Sequence, residues 1–375
     1  MPVFVSSDTN WTTSLVLDTL VMVMDGVTLR IQGGSECLSV TLSNADNTAG
    51  IQLRTNAKVV VDNVLMKGSI GIKHFGIKVA DSNDGLATIE VRNLACQNVA
   101  HCIYQCGTFN GKIDVADSVF VNNDLAIRAR GNATVHNCLF LRNREGILAN
   151  WMTITNSTFV GHGNYGLWLP APSIVRDSVF IANEIGLREP EGEATNLLFC
   201  RNEWAVHQPR CCLSRSTFLK NNVDVIHYIA GTSGGTAPVV QEVNFIDTLE
   251  YAVENGQSYD VNCTNLYWGT TDMDAVSSRI LDFYEEPRSR GRVNADPIAA
   301  EPFEHDLFPL SMSDWEPPAS LLGFPLGRTP SPTAPPTTRP TQAPTPLPGA
   351  PVFYVNPLPA SLVDLDPTPS PTQAP

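Results

Sequence analysis

The chain has 375 residues, of which 43% are hydrophobic and only 17% charged, and its formal net charge is -14. That balance excludes a nucleic-acid groove, which needs concentrated Lys and Arg, and suits an all-β body whose polar exterior is Asn, Ser and Thr. No run of about 18 apolar residues occurs, so no membrane-spanning helix is predicted.

Taken from the start, residues 15–24 are largely apolar but are broken by Asp18 and have no basic segment before them, so they do not read as a complete signal peptide. The stretch LVMVMDGVTLRIQGG reads instead as strands broken at Asp25-Gly26 and Gly33-Gly34, with Met22 and Met24 on an apolar alternating strand. Residues 1–58 are expected to form an N-terminal cap and first coils, because a terminal repeat must hide a sheet edge. VVVDNVLMKGSIGI from Val59 and IEVRNLACQNVAHCI from Ile89 are loose versions of a unit that then becomes regular, separated by an excursion with a turn at 81–85.

The regular units are VADSVFVNNDLAI from Val115, VHNCLFLRNREGI from Val135, ITNSTFVGHGNYGL from Ile154, VRDSVFIANEIGL from Val175, ATNLLFCRNEWAV from Ala194 and LSRSTFLKNNVDV from Leu213. Their aromatic anchors, Phe120, Phe140, Phe159, Phe180, Phe199 and Phe218, recur about every 20 residues, the length of one solenoid coil made of three short strands. A leucine-rich repeat has a similar period, but the β-branched residues and the two polar breaks per unit disfavour a helical return. Asn63, Asn93, Asp117, Asn137, Asn156, Asp177 and Asn196 form one polar file before the Phe strand, suited to left-handed turn backbone. Asn123, Asn143, His162, Asn183, Asn202 and Asn221 form a second, three residues after Phe. Both files read as structural.

Further on, 230–238 is an expected loop, a last coil reaches Leu266-Tyr267-Trp268, and 277–284 is expected to be a short helix or irregular cap. The β-helix is thus assigned to 59–300, an irregular extension to 301–326, and a disordered Pro/Thr-rich tail to 327–375, where repeated proline favours extended polyproline II. Within that tail, 351–356 is a small apolar island suited to docking.

Nine cysteines are present. Cys96, Cys102 and Cys106 match no standard zinc spacing, so a disulfide or buried thiols are expected rather than a metal site, and the odd count leaves at least one thiol unpaired within the chain. Sequons begin at Asn10, Asn132, Asn156 and Asn262, compatible with a secreted glycoprotein; Asn156, if held in the turn file, should stay unmodified.

ITNSTF at 154–159, NREGI at 143–147 and NEIGL at 183–187 resemble the repeats of pectin-lyase-like, right-handed parallel β-helix proteins. LYWGTTD at 266–272, ILD at 280–282, GRV at 291–293 and Pro297 resemble a terminal coil of that superfamily. The resemblance covers about residues 15–300 and implies an all-β, single-stranded right-handed parallel β-helix. It also implies a functional range from polysaccharide lyases, epimerases and hydrolases to non-catalytic surface and fibre proteins. Neither the grouped Asp pattern of polygalacturonases nor the calcium-site acids and arginine of lyases is found.

The candidate site is the lateral face formed by the strands after Phe. Stacking is expected to bring Arg128, Trp168, Arg188 and His207 to a common side, with Arg130, Glu184, Glu189, Glu203 and Arg210 nearby. As catalytic candidates, Glu184 and Glu203 supply carboxylates, Arg188 neutralises a uronate, and His207 transfers a proton. Arg128, Trp168 and Arg210 are the substrate-binding candidates. The leading expectation is an extracellular or surface-associated structural or polysaccharide-binding module, its partner a polysaccharide or cell-surface glycan and with no cofactor. The alternative is a polysaccharide lyase, epimerase or hydrolase, with calcium if a lyase; sequence leaves catalysis open.

Overall fold

A computed structural model describes residues 1–43, 49–68, 74–79, 86–105, 111–227, 239–257, 260–282 and 291–305. The expected turn at 81–85, the loop at 230–238, Cys106 and the tail at 327–375 lie outside the described residues.

Each coil contributes up to three parallel strand stretches. One is the strand that follows Phe, and these build a single 13-stranded parallel sheet running from Val3–Val5 through Leu125–Ala129, Glu145–Ala149, Tyr165–Trp168, Ile185–Arg188 and Trp204–His207 to Ile280–Leu281. The Ile/Val stretches and Phe stretches form the other walls, merging into continuous ten-residue strands at Lys58–Lys67, Thr88–Gln97, Pro172–Ile181 and Glu191–Cys200. All pairings are parallel and in register, which is the arrangement of a parallel β-helix. Its ladder reaches further upstream than residue 59: Val3–Val5 already pairs with Leu20–Val23, and Thr28–Gln32 with Lys58–Lys67. The first 58 residues therefore supply full coils.

Burial follows the register. Ile31, Val61, Val91, Val115, Val135, Ile154, Val175, Ala194 and Leu213 form one interior file, and Phe120, Phe140, Phe159, Phe180, Phe199, Phe218 and Phe245 another. From Phe120 to Phe218 successive rings are 4.8 to 5.0 Å apart with interplanar angles of 5 to 11°. The stack tilts at Phe245 and is closed by Trp268 at 4.9 Å. A coil alone cannot bury such rings; the neighbours do it.

Opposite the rings the interior residue must be small. A Cβ on Gly166 would lie 2.8 Å from the Gly186 carbonyl oxygen and 3.2 Å from Phe159 Cβ, and one on Gly146 would lie 2.1 Å from the Gly166 carbonyl oxygen. Ala126 and Ala205 occupy the same file. Where the aromatic file begins, Cys96 takes the Phe position and Cys102 the small-residue position, and the two form a disulfide across the interior. Among the described residues Cys37, Cys138, Cys200, Cys211, Cys212 and Cys263 are not part of a disulfide.

The two polar files hold the corners. Every member from Asn63 to Asn196 of the first has φ between 48 and 54°, where short Asn and Asp side chains are tolerated. In the second, the carboxamide of each Asn bridges coils: Asn143 Oδ1 accepts from Asn123 N at 2.9 Å while Asn143 Nδ2 donates to the Phe120 carbonyl at 3.1 Å. Asn183, Asn202 and Asn221 repeat the pattern. His162 breaks it: its backbone N–H donates to Asn183 Oδ1, its Nδ1 meets the Asn143 carbonyl at 3.0 Å, and its buried Nε2 has no partner. Burial lowers its pKa to about 4, so the ring is neutral near pH 7 and Nδ1–H donates to that carbonyl.

The expected short helix exists but earlier, at Met273–Ser277, where the Asp272 side chain accepts from Asp274 N. An N-cap carboxylate, rather than the apolar residues after 277, fixes its start.

Candidate functional site

In the 13-stranded sheet the Gly/Ala residue and the aliphatic residue after it are buried, and the residue after that pair is partly exposed. One outward file follows the register Lys78, Tyr104, Arg128, Leu148, Trp168, Arg188, His207, with neighbouring strands about 4.8 Å apart. It contains four residues that the sequence placed on a common side, Arg128, Trp168, Arg188 and His207.

Cations pair with rings at two places along it, on either side of Leu148. The Arg188 guanidinium carbon lies 4.4 Å from the Trp168 ring centroid, and that of Arg128 lies 5.4 Å from Tyr104, whose hydroxyl accepts from Arg128 Nη1 at 3.4 Å. Lys78 Nζ sits 5.8 Å from the same Tyr104 ring. His207 stacks on Trp204 at 5.6 Å, and its pKa is lowered by burial, then by Arg188, against an opposing effect of Glu189. His207 therefore carries little charge at pH 7. Glu189 is an ion-pair neighbour of Arg188, 3.4 Å from its Nε, in a geometry that makes no hydrogen bond.

Four polar nitrogens of this file, Arg128 Nε, Trp168 Nε1, Arg188 Nε and His207 Nδ1, are buried without a hydrogen-bond partner. Buried donors are normally paired. Beside them a cleft of about 490 Å³ opens, lined by Arg128, Arg130, Leu148, Asn150, Trp151, Trp168 and Pro170. Trp151 is 54% exposed on the corner after the strand, with φ 52°. A larger cleft of about 780 Å³, among Asn262, Thr264, Asp282 and Asp296, shares no residue with the file.

Set against protein-family models, curated proteins and solved structures, the chain matches none of them.

The carboxylate candidates sit elsewhere on the same sheet. Glu184 and Glu203 occupy one column on adjacent coils, since Glu184 N donates to His162 O and Glu203 N to Asn183 O at the same corner. They precede the strands Ile185–Arg188 and Trp204–His207, whereas Arg188 and His207 end them. Four residues of extended chain separate the two pairs by about 13 Å. The fold thus joins Glu184 to Glu203 and Arg188 to His207, and does not bring the two pairs together. Glu203 Oε2 accepts from Asn222 Nδ2 at 2.7 Å. Arg210 is exposed at the start of Arg210–Ser214, round the corner on the next wall and level with Glu191. Arg130 is exposed too, its N–H donating to Gln105 Oε1.

Sequence reasoning missed Lys78, Tyr104 and Trp151. It also missed a polar network at the position before the Gly/Ala residue: Tyr165 Oη donates to Glu145 Oε2 at 2.6 Å, and Glu145 accepts from Arg144 and from Asn164 Nδ2. Arg144 also pairs with Asp124. Burial first, and the Glu145 carboxylate second, push the Tyr165 hydroxyl pKa far up, so it stays protonated and donates to Glu145. Among the described residues no three His, Cys, Asp or Glu side chains converge as a metal site, and no helix is long and apolar enough to cross a membrane.

Proposed function

We propose that this chain is an extracellular or surface-associated member of the pectin-lyase-like β-helix proteins whose 13-stranded face binds an extended polysaccharide without cleaving it. The observation that carries the reading is the file from Lys78 to His207, with its cation–ring pairs and its four buried nitrogens without a hydrogen-bond partner. Trp168 and Tyr104 offer apolar ring faces to sugar C–H groups, while Arg128 and Arg188 offer planar donors to hydroxyl or carboxylate oxygens. A polymer lying along the solenoid axis meets one side chain of the file per coil. The splay of Glu184 and Glu203 away from Arg188 and His207 supports binding over an acid-base site, because proton transfer needs groups within hydrogen-bond reach of one reacting centre. The sequon asparagines Asn10, Asn132 and Asn262, all on exposed positions, are consistent with a glycoprotein.

A hydrolase, lyase or epimerase reading draws on one observation. Glu184 and Glu203 stack on adjacent coils about 4.8 Å apart at the backbone, close to the roughly 5 Å carboxyl separation of retaining glycosidases.

Incubation of the purified chain with acidic and neutral polysaccharides, with and without calcium, separates the two. Saturable binding without change in polymer length, weakened by Arg188→Ala, supports the binding module. Chain shortening or unsaturated ends that vanish in Glu203→Gln would replace it with the enzyme.

A further inference from the structure

Inside the solenoid, the small-residue file that faces the phenylalanine stack is Gly or Ala at 126, 146, 166, 186, 205 and 252. At one coil it is an acid: Asp224, between Val223 and Val225, is fully buried. Its position coincides with the end of the asparagine column. At Asn183 and Asn202 the Nδ2 spends one hydrogen on a Phe carbonyl and the other on the Oδ1 of the next coil, Asn202 and Asn221 respectively, both at 2.9 Å. The next coil carries Thr248 in place of an Asn, so Asn221 has no following carboxamide to donate to. Asn221 Nδ2 turns instead to Asp224 Oδ1 at 2.9 Å, and Thr248 Oγ1 donates to Asp224 Oδ2.

We propose that Asp224 is a proton-operated latch between the coil ending at His227 and the coils that follow it, closing the junction when neutral and loosening it when charged. The carboxyl terminates a hydrogen-bonded column, so it cannot leave without stranding the Asn221 amide and the Thr248 hydroxyl. A threonine hydroxyl both donates and accepts, so the junction can be satisfied in either protonation state. The charged state alone carries the desolvation of a carboxylate within an apolar core. Burial is the main cause that raises the Asp224 pKa to about 7, opposed by the Thr248 and Asn221 hydrogen bonds and by Arg279. Arg279 is the charged group acting on it among the described residues, and its Nη1 is engaged with the Trp268 carbonyl at 2.7 Å. Because the folded pKa lies above the unfolded value, the folded coil binds the extra proton between about pH 4 and pH 7. Stability of the junction falls as pH rises through that window and is level above it.

Hydrogen exchange with mass spectrometry, corrected for intrinsic rates, tests this on the full chain between pH 5 and 8. Protection of peptides covering 244–257 and 266–282 is expected to fall about tenfold per pH unit up to pH 7 and then level off, with no such slope in peptides covering 165–188. Asp224→Asn, a neutral isostere that keeps an acceptor for Asn221, should remove the slope and leave the C-terminal coils protected at pH 8. Asp224→Ala, the residue found at 205 and 252, serves as a second uncharged variant should the Asn variant fold poorly. A flat profile in the wild type, or a slope that survives in either uncharged variant, overturns the latch.

Discussion

Phe180→Ala probes the interior stack where it is most regular. The ring is fully buried and sits 5.0 Å from Phe159 and 4.9 Å from Phe199, nearly parallel to both. Removing a buried Phe costs about 3–5 kcal/mol, the cost rising with the cavity left behind. Here the cavity cannot close, because the residues facing it are Gly166 and Gly186, which have no side chain to move in, and the backbone is pinned by ladder pairs on both sides. The expected loss therefore lies at the upper end, about 5 kcal/mol. Phe120→Ala is the internal comparison: its ring stacks on Phe140 only, since Cys96 fills the position on its other side. It forgoes one ring pair instead of two and should cost about 1 kcal/mol less. Urea denaturation followed by far-ultraviolet circular dichroism gives both values. A Phe180→Ala loss under about 2 kcal/mol, or a larger loss at Phe120 than at Phe180, would refute the reasoning from stacked coils.

Three further outcomes follow from the polar files. Asn202→Ala strands the Asn183 amides and the Phe180 carbonyl, each a buried group costing about 1–3 kcal/mol unpaired, so urea unfolding should register a loss of at least about 2 kcal/mol, whereas Asn222→Ala on the exposed corner should register almost none. His162→Asn should restore the broken column and raise the melting temperature. It should also reduce acid sensitivity: the His162 folded pKa near 4 lies below its unfolded value of 6.5, so its contribution is complete above pH 6.5 and is lost as pH falls from 6.5 toward 4. The expected relief is up to about 3 kcal/mol at pH 4, read from unfolding curves at pH 4 and 7; equal acid sensitivity in the two proteins would contradict it. Asn156, held at φ 50° with its Nδ2 donating to Asn137 Oδ1, should carry no glycan when the chain is expressed through a secretory pathway, while exposed Asn132 accepts one; intact peptide mass spectrometry distinguishes them.

The solenoid was legible wherever one residue type recurred on one file. Phenylalanine spaced by about 20 residues gave the coil length, and the Asn and Asp before it gave the corner, because only a few side chains tolerate that backbone. Upstream the same Phe position is filled by Val40, Met66 and Cys96, apolar residues with no shared signature, so within 1–58 the sequence did not separate cap from first coils. The second corner showed through its Asn column, but its positive-φ residues did not, because Asn122, Arg142, Gly161, Ala182, Arg201 and Lys220 are a mixture without a composition cue. At the site, Arg128, Trp168, Arg188 and His207 could be aligned because the intervals between their coils are regular. Tyr104 and Lys78 belong to the same file, but their coils are 24 and 26 residues from the next, and a fixed period steps past them. The separation of Glu184 from Arg188 depends on where a strand begins and ends, which a repeat unit alone does not state.

The most direct test of the proposed binding face is the affinity of the intact chain for whichever polysaccharide it retains, compared with Trp168→Ala, Arg188→Ala and Glu184→Gln by isothermal titration. Binding should weaken at least about tenfold in the first two, the loss of roughly 1.4 kcal/mol expected of a ring or a charge-assisted donor, and remain unchanged in the third. Equal affinity in all four proteins, or loss confined to Glu184→Gln, would place the ligand somewhere other than the file from Lys78 to His207.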